Sequence, residues 1–171
     1  MTVFFDGKKE AQLKIDEVKR EVLKLKKKKI TPKLVSILVG DDPGSKLYTS
    51  LKKKAAERVG AVMEIKEFPS NVSVSQLNQL IGKLNSDKSV HGIMVQLPLP
   101  MDLKLKTEDL IKEISQEKDV DGLRDNSPFL TPTVKAVLLA MKRASENLVL
   151  GASNVVVVGA KGFEGRKIVN V

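Results

Sequence analysis

An α/β protein with a mainly parallel sheet flanked by helices is the fold class this sequence predicts, on three observations. Short apolar runs at 34–39, 61–68 and 91–96 alternate with longer segments whose apolar residues recur every three or four positions. That alternation is the pattern of strand–helix–strand units. The loops after the first and third runs, Gly40-Asp41-Asp42-Pro43-Gly44 and Gln96-Leu97-Pro98-Leu99-Pro100, hold the residues that look chemical. Open parallel sheets bind ligands beyond the carboxyl ends of their strands, which is where both loops would lie.

Each element has its own justification. Residues 8–28 place Ala11, Ile15, Val18, Val22 and Leu25 on one helical face, and Thr31-Pro32 stops the helix. Leu34–Val39 is continuously apolar, as a strand covered on both faces would be. A helix from about Ser45 to Val59 follows the Gly40–Gly44 loop, and residues 61–68 then alternate as a strand. Residues 74–85 return to helical spacing, with Ser73 as the cap. His91–Gln96 reads as a third strand, 107–115 as a helix, and Lys118-Asp119-Val120-Asp121-Gly122 as an acidic loop. Thr131 caps a helix running to about Ser145, with Pro132 in its first turn. Val155–Val158 reads as a last strand, running into the turn Gly159-Ala160-Lys161-Gly162-Phe163-Glu164-Gly165.

Composition narrows the function classes. The 171 residues contain no cysteine, which excludes a disulfide framework, a thiolate metal site and a cysteine nucleophile. His91 is the only histidine, so a site of several imidazoles is excluded, and without a nucleophile elbow it belongs to no Ser-His-Asp triad. No metal site is expected. No apolar run is long enough to span a membrane and the N-terminus has no signal-peptide pattern, so the expectation is a soluble, cytoplasmic protein without membrane partners. The net charge of +9 raises the question of an anionic partner. The chain has one Tyr and no Trp to interleave with its lysines, however, and Lys26–Lys29 sits at a helix end where the dipole favours cations. No nucleic-acid partner is expected.

Four constellations could carry chemistry. Tyr48 and Lys52 are four apart on a helix and project from one face, a phenol beside an amine. Spacing alone fits a surface helix with a lysine run better than an active site. Gln96 ends an apolar strand, where a half-buried amide needs partners; a structural amide and a ligand contact are equally open. Asp119 and Asp121 share a short loop that could ligate a divalent ion, accept the N–H donors of a ring, or simply form an Asp-Gly turn. The last turn has the spacing Gly-x-x-Gly-x-x-Gly after an apolar run, a variant of the dinucleotide fingerprint, whose backbone N–H groups and helix dipole suit a phosphate.

Taken together and in this order, these pieces resemble the bifunctional methylenetetrahydrofolate dehydrogenase/methenyltetrahydrofolate cyclohydrolase family. The match runs through Val39–Pro43 with Ser45, Tyr48 and Lys52, then Val95–Pro100, Lys118–Gly122 and Thr131-Pro132-Thr133. The resemblance implies a folate-binding catalytic domain over residues 1–145. The beginning of an NAD(P)-binding Rossmann domain, its first β-turn-α, would follow over 146–171. The 21 residues from Gly151 are fewer than the two βαβ units a complete Rossmann domain needs, so only its start is expected here.

By the same resemblance, Tyr48 would stack on the pterin and aminobenzoate part of the substrate and Lys52 would be the catalytic lysine. Gln96 would orient that lysine and Asp121 would hold the pterin edge, with Val95 and Leu97 also lining the substrate. Gly159, Ala160, Lys161, Gly162 and Gly165 would hold the cofactor, NADP, with NAD as the alternative. The family commonly reads Gly-Arg-Ser in this turn, with a later Val-Gly and Pro; this chain has Gly159-Ala160-Lys161, Glu164-Gly165 and Lys167. The implied activity is NADP-dependent oxidation of methylenetetrahydrofolate to methenyltetrahydrofolate and hydrolysis of that product to formyltetrahydrofolate. It would be impaired in a chain of this length, and it would place a homodimer in one-carbon metabolism and purine biosynthesis. The alternative is a folate-binding or regulatory α/β domain without turnover.

Overall fold

The computed structural model describes residues 5–101, 103, 106–144 and 155–170. Its elements run α1 (Gly7–Lys27), β1 (Lys33–Val39), α2 (Pro43–Val59), β2 (Val62–Phe68), α3 (Val74–Ser86), β3 (Gly92–Val95), α4 (Thr107–Lys112), a 3-10 turn (Gln116–Lys118), α5 (Pro132–Ala144) and α6 (Phe163–Val169). The three strands form a parallel sheet in the order β2-β1-β3, with Ile37 opposite both Lys66 and Val95. The α/β class expected from the sequence is the fold observed.

β1 is central because it can be covered everywhere. Val35 and Ile37 are fully buried, and so are all four residues of β3. Leu77, Ile81 and Leu84 of α3 close one side of this core, together with Leu110 and Ile114. Burial of that kind contributes about 25 cal/mol for each Å² of apolar surface removed from water, so the sheet and α3 supply the bulk of the stabilisation. α3 begins in a full capping box: Ser73 Oγ accepts from Gln76 N–H at 3.2 Å, and Gln76 Oε1 accepts from Ser73 N–H at 3.1 Å. α1 is held more lightly; it packs on α2, where only its Val22 is fully buried.

Three boundaries differ from the sequence reading. α2 starts at Pro43 rather than Ser45, because Asp42 caps it by accepting from Ser45 N–H at 2.7 Å and Pro43 fits the first helical turn. α4 ends at Lys112, and the chain turns so that Ile114 enters the core. The expected strand Val155–Val158 is not a strand. A strand is stabilised by pairing with a neighbour's backbone; here no described strand lies beside it, and Val156 and Val158 stand 88% and 96% exposed. The turn and helix that should follow do form. The expected domain boundary at 145/146 falls in residues 145–154, outside the described residues.

The sheet aligns the two suspect loops at one edge. β1 and β3 end side by side, with Gln96 N–H donating to Ile37 O at 2.9 Å. Gly40 takes a left-handed conformation at φ +83°, and a Cβ there would come within 2.9 Å of Pro100 Cγ. Only glycine lets the two loops meet this closely.

Candidate functional site

α2 crosses this edge with two kinds of face. Ser45 and Thr49 point inward and are buried, Thr49 Oγ1 donating to Ser45 O at 2.6 Å and Ser45 Oγ to Leu97 O at 3.4 Å. The second of these bonds ties the helix to the Gln96–Pro100 loop. Tyr48 remains 62% exposed, with its ring open to solvent, and Lys52 is half-buried one turn further on.

Lys52 and Gln96 meet. Lys52 Nζ donates to Gln96 Oε1 at 3.2 Å and touches Met94 Sδ at 3.9 Å. Gln96 Nε2 donates to Leu97 O at 2.8 Å, which turns the amide oxygen toward the lysine. Gln96 is only 8% exposed, so its orientation is set by the fold before any ligand arrives. Gln96 is a satisfied structural amide, and its acceptor is aimed at the Lys52 amine. Val95 is buried in the core, whereas Leu97 is half-buried and offers its carbonyl to the Gln96 amide and the Ser45 hydroxyl.

The acidic loop divides its labour. Lys118 donates to the carbonyls of Leu84, Asn85 and Asp87 at 2.7–2.8 Å, closing the C-terminal end of α3. Asp119 is fully buried and accepts from Leu123 N–H at 3.2 Å and Arg124 N–H at 2.9 Å. Val120 packs on Gly92, where a Cβ would lie within 2.9 Å of both its methyl groups. Gly122 turns at φ +67° and faces the Phe129–Thr131 backbone so closely that a Cβ would sit 2.5 Å from Phe129 O. Asp121 is left over. Among the described residues its carboxylate accepts no hydrogen bond. Burial pushes its pKa above the usual carboxylate range; Lys52 and Lys135 oppose the rise, while Asp119 and Glu164 add to it. Tyr48, Lys52 and Gln96 come together at one sheet edge, supplied by α2 and the residue that follows β3, and Asp121 lies on the acidic loop.

The glycine turn lies elsewhere on the same loop's flank. Gly159 adopts φ +84°, and Gly162 N–H donates to Gly159 O at 3.0 Å. A Cβ at Gly165 would fall 2.1 Å from Gly159 O, so the turn closes only over glycine. Ala160 is half-buried and Lys161 exposed. α6, which follows, is bound to the segment after the acidic loop: Thr131 Oγ1 donates to Glu164 Oε2 at 2.9 Å, and Lys167 Nζ donates to Leu123 O and Arg124 O at 3.2 and 2.7 Å. Between them is a cavity of about 460 Å³ lined by Gly122, Ser127, Phe129, Thr131, Phe163 and Arg166 among others; neither Lys52 nor Gln96 lines it. Sequence reasoning missed the structural work of Asp119 and Lys118 and the contacts of Met94 and Glu164. No local spacing signals the contacts of Lys118, Met94 and Glu164, whose partners lie 31 to 42 residues away, whereas Asp119 accepts from residues four and five further on. Among the described residues no three His, Asp or Glu side chains gather as a metal site, and no helix is long and apolar enough to cross a membrane.

The chain is thus a parallel α/β domain with a lysine and an oriented amide at the carboxyl edge of its sheet, the edge where open α/β sheets bind ligands. Residues 5–121 match the family model described as tetrahydrofolate dehydrogenase/cyclohydrolase, catalytic domain, and the chain belongs to that family. It is 41% identical over 97% of its length to the bifunctional protein FolD of Halalkalibacterium halodurans, and 38% identical over 95% to that of Bacillus subtilis. The chain spans about 60% of the length of these relatives. Among solved structures it superimposes on a 5,10-methylenetetrahydrofolate dehydrogenase from the silkworm Bombyx mori with a TM-score of 0.88 at 32% identity, covering 98% of this chain and 60% of that one. A Trypanosoma brucei methylenetetrahydrofolate dehydrogenase-cyclohydrolase complexed with NADP cofactor and inhibitor gives 0.80 at 28% identity, covering 98% and 59%.

Proposed function

We propose that this chain carries the folate site of a methylenetetrahydrofolate dehydrogenase/methenyltetrahydrofolate cyclohydrolase, with residues 1–145 as the catalytic domain and 146–171 as the start of the nucleotide-binding one. The observation that carries the reading is the 3.2 Å bond from Lys52 to an amide oriented in advance, with Tyr48 one turn away on the same helix. The exposed Tyr48 ring offers a stacking face for the pterin and aminobenzoate system. Asp121, whose acceptor positions are free among the described residues, receives the N–H groups of the pterin edge as charge-assisted hydrogen bonds. That pairing sets the one-carbon bridge near Lys52.

In the hydrolytic step a water molecule adds its oxygen to the methenyl carbon, one carbon–nitrogen bond opens, and a proton is released to give formyltetrahydrofolate. Lys52 relays protons between the water and the departing nitrogen, and Gln96 holds its Nζ on line. Proton relay by a positioned group accelerates such steps by about 10²–10⁴-fold.

Two features support a dinucleotide's phosphates at the glycine turn: Gly159 O closes the turn where a Cβ of Gly165 would stand, and nothing lies within 4 Å of where a Cβ of Gly159 would point. Gly159, Ala160, Lys161, Gly162 and Gly165 would hold NADP there, Lys161 and Arg166 lending charge to its 2′-phosphate; NAD is the alternative. When bound, the cofactor accepts the hydride of the methylene bridge. The same reading places the protein in cytoplasmic one-carbon metabolism and purine biosynthesis. The same reading expects a homodimer.

Two assays test the proposal: loss of methenyltetrahydrofolate absorbance with time, and calorimetric titration with 5-formyltetrahydrofolate. Saturable binding with enzyme-dependent hydrolysis is the expected result. Binding without hydrolysis would support the folate-binding or regulatory domain instead, and no binding would refute both.

A further inference from the structure

Lys167 holds the exit of the loop that carries Asp121, from a helix beyond the 5–121 stretch that matches the family. The loop is first closed on itself. Asp119 accepts from the N–H groups of Leu123 and Arg124 at 3.2 and 2.9 Å, and Gly122 N–H donates to Asp119 O at 3.0 Å. Residues 119–124 therefore form a small ring of chain that includes Asp121. The carbonyls of the same two residues, Leu123 and Arg124, accept from Lys167 Nζ at 3.2 and 2.7 Å. A carboxylate from within the loop thus takes the N–H groups of this pair, and an ammonium from α6 takes their carbonyls. Lys167 Nζ also lies 5.8 Å from the centre of the Phe163 ring. One helical turn earlier, Glu164 Oε2 accepts from the buried Thr131 hydroxyl at 2.9 Å, so α6 is tied to the segment after the loop at two points.

We propose that Lys167 is a positioning residue for the acidic loop, holding its exit in one arrangement before ligand arrives, so that folate binding there draws on α6. The inference rests on the reading that Asp121 receives the pterin edge. A loop left to fluctuate must be ordered when ligand binds, and that cost is subtracted from affinity. Bonds from an ammonium to carbonyls are charge-assisted, the stronger kind, and here one ammonium makes two of them to consecutive residues. Asp119 cannot take over this work: an ionised carboxylate only accepts, and it has no proton to give a carbonyl. Glu164 cannot either, for the same reason. Lys167 is the one side chain of α6 recorded as bonding these carbonyls among the described residues.

Lys167→Met keeps the length of the side chain and removes the donor, whereas Lys167→Arg keeps a donor able to serve two carbonyls. Calorimetric titration with 5-formyltetrahydrofolate and residue-resolved amide hydrogen exchange, with and without the analogue, would be run on the full chain and both variants. We expect Lys167→Met to bind the analogue about tenfold more weakly. Exchange at Leu123 and Arg124 should quicken in that variant without ligand while β1 exchanges as in the parent, and Lys167→Arg should return both readouts toward parental values. Saturating analogue should also slow exchange along α6 in the parent, which decides the matter even if Lys167→Met does not fold. Parental affinity in Lys167→Met overturns the proposal, as does weaker binding with unchanged exchange at Leu123 and Arg124. Lys167→Arg as weak as Lys167→Met overturns it too, and so do parental α6 amides that ignore the bound analogue. The underlying reading is tested separately: Asp121→Ala that binds the analogue as tightly as the parent refutes the folate role of Asp121, whatever Lys167 does.

Discussion

Replacing Lys52 with Met separates chemistry from folding. The two side chains have similar helix propensity and similar length, so α2 itself is little changed. What is lost is the 3.2 Å bond to Gln96, a residue 8% exposed whose amide oxygen has that ammonium as its partner. Leaving a buried acceptor unsatisfied costs about 1–3 kcal/mol. Part of that is returned because methionine carries no charge to desolvate and packs readily beside Met94. We expect a net loss near 1 kcal/mol, which in a chain of this size lowers the melting temperature by about 2–4 °C. The hydrolytic rate should fall about 10²–10⁴-fold, equivalent to about 3–5 kcal/mol of barrier. Circular dichroism melts and loss of methenyltetrahydrofolate absorbance, run on the same preparations, read the two quantities. Folded Lys52→Met hydrolysing at the parental rate would refute the catalytic assignment. The pair Lys52→Met and Gln96→Leu should also be non-additive, since the residues share one hydrogen bond; additive losses would show that Gln96 does not orient the lysine.

Asp121→Asn should stabilise the fold and weaken the ligand. Burial raises the folded-state pKa of Asp121 above its unfolded value, so the ionised residue subtracts stability above that pKa and the deficit vanishes as pH falls through it. The asparagine variant should therefore melt higher than the parent at neutral pH and converge with it in acid, while 5-formyltetrahydrofolate affinity drops by about 1.5–3 kcal/mol; a variant that melts lower at neutral pH would contradict the sign. Gly122→Ala combines a left-handed φ with a Cβ 2.5 Å from Phe129 O, and should cost about 2–4 kcal/mol in denaturant unfolding; a change below 0.5 kcal/mol, as at an ordinary surface site, would mean the loop relaxes freely. Serines at 156 and 158 in place of the two exposed valines should leave the melt unchanged within about 0.5 kcal/mol and reduce association in light scattering, and a large drop in the melt would show that these side chains pack.

Much of the fold was legible because it depends on local pattern. The periodicity of α1 and α3, the Ser73 and Thr131 caps and the apolar runs of β1 and β3 all signal themselves within a dozen residues. Val155–Val158 was misread for a physical reason: four valines in a row state a preference for extended backbone, but a strand also needs a partner, and a partner is not a local property. The site was legible in part. The spacing of Tyr48 and Lys52 places both on one face, whereas the meeting of Lys52 with Gln96 spans 44 residues and depends on β3 lying beside β1. Asp119 and Asp121 are chemically identical in sequence, and only the fold shows that one is spent on Leu123 and Arg124 while the other stays open.

The run Lys118–Gly122 bears on how mutational scans of such a loop should be interpreted. Its five residues do five separate jobs: a clamp on a helix end, a backbone tie, a plug against β3, a carboxylate without a hydrogen bond among the described residues, and a tight turn. An alanine scan scored by activity alone would mark all five as essential and present them as one catalytic motif. Scored by activity and unfolding together, it would single out one position, because only at Asp121 do the two measurements move in opposite directions.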